Sequence, residues 1–111
     1  MSGLPASPDL WTVRQVDLDG VTDKAGFMDR CAAALGLPEW FGRNWDALAD
    51  CLSDPGVWPA SDRTLVVVVS GWRDFEGRCP DVWGTALDVF EDAVGRREDS
   101  EPALGVLLAL R

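Results

Sequence analysis

The run Leu65-Val66-Val67-Val68-Val69 is apolar at every position and mostly β-branched. Such a run, without polar alternation, predicts a strand buried on both faces inside a parallel sheet. Two other stretches read as strands. Trp11 to Leu18 alternates with a slip, because Trp11 and Val13 share one face while Val16 and Leu18 share the other. That predicts a bulged edge strand, or one that starts later. Leu104 to Leu110, after Pro102, is a final apolar strand. Between the strands the period changes to that of helices. Thr22 is placed to cap a helix over Asp23 to Leu35, with Phe27, Cys31 and Ala34 or Leu35 inward and Gly36 ending it. Pro38 forbids continuation. Asn44 caps a second helix reaching Leu52, with Phe41, Trp45, Leu48 and Leu52 on one buried face. Ser53-Asp54-Pro55-Gly56 breaks it, and Val57-Trp58-Pro59 forms an irregular bridge. Gly71 to Arg78 has room for one short helical turn around Trp72 and Phe75. Asp81 is placed to cap a last helix, Val82 to Arg96, with Val82, Ala86, Val89 and Ala93 as its stripe, widened by Trp83, Phe90 and Val94. Arg96 to Ser100 reads as a charged, exposed loop.

The order is strand, two helices, strand, one or two helices, strand. Crossovers of this length join parallel neighbours and are right-handed. The expected fold is α/β in two layers: a three-stranded parallel sheet in order 1-2-3, with three to four helices on one face. One sheet face then lacks helices. Either Val66 and Val68 or Val67 and Val69 need cover there, from the N-terminal tail, Trp11 or the Val57-to-Pro59 bridge. Residues 1–10, rich in Pro, Gly and Ser, read as a flexible tail, and residues 11–111 as a single domain.

Charge narrows the partners. Nineteen acidic residues stand against ten basic ones, a net charge of −9. That argues against nucleic acid and towards a basic protein, since phosphates would be repelled. The bland alternative is that acidity serves solubility. The sequence contains no histidine, which removes the commonest general base and zinc ligand. Cys31, Cys51 and Cys79 form no close pair and read as reduced thiols of a cytoplasmic protein. Met1 to Leu10 lacks the basic start and apolar run of a signal peptide, and no stretch suits a membrane span. No phosphate loop or nucleophile motif is present, so no enzyme, cofactor or metal is expected.

The informative chemistry is in Trp40-Phe41-Gly42-Arg43-Asn44-Trp45-Asp46-Ala47-Leu48-Ala49-Asp50-Cys51-Leu52. Asp46 and Asp50, four apart, project together from another face than the apolar one. Like charges at that spacing cost a helix a few tenths of a kcal/mol, roughly. Asp46 is compensated by the helix dipole, while Asp50 is not. Exposed aspartates are most often only a solvated face. Two carboxylates in the same watery surroundings lack the divergent pKa values of an acid-base pair, and they supply too few oxygens for a metal site.

This segment resembles the barstar family of intracellular ribonuclease inhibitors. The matching letters are Trp40-Phe41-Gly42, Asn44 and Asp46-Ala47-Leu48-Ala49-Asp50-Cys51-Leu52, preceded by Leu35-Gly36-Leu37-Pro38-Glu39. Trp72-Arg73-Asp74-Phe75 and Val89-Phe90-Glu91-Asp92-Ala93 follow in the family's order. The resemblance implies a 1:1 inhibitor, monomeric when free, of an extracellular guanyl-specific ribonuclease, with no nucleic-acid or membrane partner. Asp50 would enter the phosphate-binding pocket and Asp46 would meet neighbouring cations. Trp40, Gly42 and Asn44 would line the rim, and Asp92 would make an outlying ion pair. Each has a plainer reading: Trp40 as core, Asn44 as cap only, Asp92 as solvated face. Arg43 stands where the family has an acid; it could pair with a partner carboxylate or fold back on Asp46. Ala49 stands where the family has an aromatic contact, and Asp92 shortens a family Glu. The rival reading is a barstar-like module that binds a different basic protein without inhibiting a ribonuclease.

Overall fold

Strand β1 (Trp11–Asp17), β2 (Thr64–Ser70) and β3 (Leu104–Leu108) form one sheet in order β1-β2-β3. Both pairings are parallel. The computed structural model describes residues 11–38, 41–60 and 62–109. The expected N-terminal tail, Glu39, Trp40 and the last two residues lie outside them. Helices α1 (Lys24–Leu35) and α2 (Trp45–Ser53) connect β1 to β2, and α3 (Trp72–Arg78) and α4 (Pro80–Arg96) connect β2 to β3. The expected two-layer α/β arrangement and strand order are therefore present. The last connection holds two helices, since Gly71 to Arg78 forms a helix rather than one turn.

The anticipated bulge in β1 is absent. The register runs residue by residue from Trp11↔Thr64 to Asp17↔Ser70. The apparent slip was two faces read as one: Val13 points outward, Thr12 and Val16 inward, with Leu18 buried beyond the strand end. Leu65, Val67 and Val69 of β2 join the main core, whereas Val66 does not. Val66 and Val68 thus occupy the face without helices, Val66 buried and Val68 half-buried. On that face Val13 is 51% and Leu107 44% exposed.

The core is aromatic at its centre. Phe27 of α1 stacks on Phe75 at 5.7 Å and packs near Phe90 at 6.2 Å. Trp83 meets Phe75 edge-on and stacks with Trp72. Gly71 joins β2 to α3 at φ 68°, and a Cβ there would lie 2.7 Å from the Asp19 amide nitrogen. Only glycine allows β2 to turn so close to the end of β1.

Two helix starts differ from the sequence reading. Asp23, not Thr22, caps α1, accepting the Gly26 N–H at 2.8 Å. α4 begins at Pro80 after Cys79, and Asp81 lies in its first turn instead of capping it. Proline at this first position loses no hydrogen bond, which lets the helix start earlier. The buried stripe of α4 is Trp83, Ala86, Phe90 and Ala93, while Val82, Val89 and Val94 are only half-buried. The large aromatic side chains set the helix rotation, because they remove the most apolar area from water. β3 ends at Leu108, and the Ala109 N–H still donates to Val69 O.

Candidate functional site

The loop before α2 is tied down at both ends. The Phe41 N–H donates to Pro38 O at 2.9 Å, and the Phe41 ring is buried. Asn44 has the extended backbone of an N-cap (φ −130°, ψ 169°), and its Oδ1 accepts the Ala47 N–H at 2.8 Å. Its Nδ2 reaches back to Gly42 O at 3.4 Å. A Cβ on Gly42 would lie 2.9 Å from that Nδ2. A side chain there would push the capping group aside, so the family glycine has a local cause. Arg43, between them, has φ 50°.

α2 then divides as its spacing predicts. Leu48, Cys51 and Leu52 are buried, and Trp45 is half-buried against Phe27 at 5.6 Å. The Lys24 ammonium lies 5.5 Å above the Trp45 ring. Trp58 is buried behind the far end of the helix, its Nε1–H shared between Cys51 O and Leu52 O at 3.1 Å each. These two carbonyls belong to the last turn, which has no intrahelical donors for them. The bridge after α2 is therefore a cap as well as a connection; its first part is a 3-10 turn, Pro55–Val57.

Asp46 and Asp50 are both exposed on the outer face of α2. Among the described residues neither carboxylate makes a hydrogen bond or an ion pair. Burial pushes the neighbouring Cys51 thiol up, and the negative charges of Asp50 and then Asp54 push it further. Ala49 is half-buried, a shallow spot beside Asp50. Arg43 does not fold back on Asp46. Its Nε donates to Asp29 Oδ1 of α1 at 2.8 Å. Asp29 was not singled out by sequence: it is fourteen positions from Arg43, on another helix, with no local signal to join them.

The remaining expected residues are separate or outside view. Asp92 is exposed on α4, which packs against α2, and it pairs with Arg96 one turn on at 2.9 Å. Asp88, Glu91, Asp92, Gly95 and Arg96 line a shallow groove there. Trp40 lies outside the described residues. Among the described residues no cluster of three or more His, Cys, Asp or Glu could hold a metal ion, and no helix is long and apolar enough to cross a membrane.

The molecule is thus a small parallel α/β domain that carries on α2 two exposed carboxylates, unpaired among the described residues. The family model described as barstar (barnase inhibitor) matches residues 11–109, so the chain belongs to the barstar family. That is a family of inhibitors, not of enzymes, and it implies a ribonuclease partner. No curated protein sequence matches the chain.

Proposed function

We propose that this protein is a cytoplasmic, one-to-one inhibitor of a basic, secreted guanyl-specific ribonuclease, which it blocks with carboxylates in place of RNA phosphate. The observation that carries the reading is the state of Asp46 and Asp50, exposed and free of intramolecular partners among the described residues. An unpaired carboxylate on a rigid helix is a compact acceptor for the bidentate bonds of arginine. A helix also holds it at fixed depth, as a plug in a phosphate pocket requires. Asp50 is the group that enters the pocket, and Asp46 meets the cations beside it. Gly42 and Asn44 present the adjoining loop, Ala49 lies beside Asp50 on α2, and Trp40 is assigned to the rim by the family likeness. Asp92, paired with Arg96 on α4, is the outlying acid of this reading.

The test is residual RNA cleavage by guanyl-specific ribonucleases, barnase among them, mixed with the parent chain and with Asp50→Ala. The parent is expected to inhibit at one equivalent. Loss of one side of a desolvated charge pair costs about 2–5 kcal/mol, a scale itself taken from the barnase–barstar pair. Asp50→Ala should therefore weaken inhibition by about thirtyfold or more. Retention of full inhibition by this variant would remove Asp50 from its role. Tight binding of another basic protein, with no ribonuclease inhibited, would leave a barstar-like interaction module.

A further inference from the structure

Arg43 puts a positive charge beside a surface meant for cations, and its geometry explains why. Its backbone lies in the left-handed region at φ 50°, which a Cβ disfavours. Its pairing with Asp29 is exposed, at 57% and 64% for the two side chains, and pairs of that kind add little stability. The residue therefore strains the loop and returns little to the fold. A guanidinium carries five N–H donors in one planar fork. Asp29 takes the Nε hydrogen, and no described residue accepts from Nη1 or Nη2. Asp29 directs the fork, and among the described residues its other edge stays open.

We propose that Arg43 is a specificity-determining residue that binds a carboxylate of the partner through its Nη hydrogens, with Asp29 as the positioning residue. This rests on the reading of Asp46 and Asp50 as the inhibitory pair. It gives the partner a defined polarity: cations opposite α2 and one acid on the rim, opposite the loop. A ribonuclease without that acid would bring cations against Arg43 and be disfavoured, so the residue selects among otherwise similar enzymes.

Rates distinguish this contact from a general effect of charge. Arg43→Glu removes one positive charge and adds a negative one, taking the net charge from −9 to −11. If Arg43 acted only through the overall field, the variant would associate faster with a basic enzyme and bind more tightly. A lost contact gives the opposite result, faster dissociation and affinity lower by about tenfold or more, the scale of a charge-assisted hydrogen bond. Arg43→Gly relaxes the backbone, so it should match or exceed the parent in thermal stability while losing affinity. Arg43→Lys keeps the charge without the fork and should recover only part of the loss. Asp29→Ala removes the acceptor, frees the fork and should weaken binding less than Arg43→Gly does.

The experiment measures association and dissociation rates of these variants on a guanyl-specific ribonuclease that the parent inhibits. Unchanged or tighter binding by both Arg43→Glu and Arg43→Gly, with Asp50→Ala still defective, overturns this inference and leaves the inhibitor reading intact. A parent chain that inhibits no such ribonuclease overturns both.

Discussion

Asn44 gives the loop and α2 a common anchor. Its side chain caps the helix at Ala47 and contacts Gly42 across the loop. Asn44→Ala removes the acceptor and leaves a first-turn N–H to water. The expected loss is about 1 kcal/mol of unfolding free energy, read as a lower urea midpoint. Inhibition should fall too, because Asp46 follows two residues later and depends on the same turn. Unchanged stability would mean that another group caps the helix. This residue was legible in the sequence because capping is local: an Asn, then three-four periodicity, is sufficient. Asp46 and Asp50 were legible for the same reason, since a spacing of four fixes their shared face. Asp29 was not. Its meaning comes from a contact between two helices, and neither segment alone carries a trace of it. The caps of α1 and α4 failed at the same scale, where Thr22 and Asp23, or Pro80 and Asp81, offer adjacent and chemically plausible starts.

At the scale of the element, helices are held by what their inner faces touch. α1 buries Phe27, Met28, Cys31 and Leu35 completely. Burial pushes the Cys31 thiol from 9.0 up to about 12. The folded state therefore holds this proton more tightly than the unfolded chain does. Its contribution is complete below about pH 9 and is lost as pH rises from 9 towards 12, by up to about 1.4 kcal/mol per pH unit. Denaturation midpoints of the parent should fall over that window, and those of Cys31→Ala should fall less steeply from a lower start. Equal slopes would exclude the Cys31 thiol as the cause. The rotation of α4 shows why periodicity alone was incomplete. Two overlapping stripes fitted its spacing, and the larger aromatic side chains decided between them. Trp58 was equally hidden, since its role is to reach back to the end of α2. Likewise Arg97, placed by sequence in an exposed loop, is half-buried, donating to Pro102 O at 2.8 Å with its guanidinium over the Trp58 ring.

For the whole molecule, strand order and layering followed from the sequence because chain length between strands leaves few topologies. The exposed Val13 and Leu107 belong to the face expected to lack helices. Net charge was equally direct, and it has a kinetic consequence that a local view of the site omits. A chain of net charge −9 attracts a basic enzyme over the screening distance, about 30 Å at 0.01 M salt and about 8 Å at 0.15 M. Association should therefore slow by about ten- to hundredfold between those conditions. Dissociation should change far less, because the bonds made by Asp46 and Asp50 would be shielded from solvent in the complex. Stopped-flow mixing with an inhibited ribonuclease at graded salt reads both rates. The slope should be shallower for Asp50→Ala, which removes one charge from the face that meets the enzyme. An association rate indifferent to salt would mean that the acidity of this molecule serves its solubility, and that the inhibitory surface acts through contact alone.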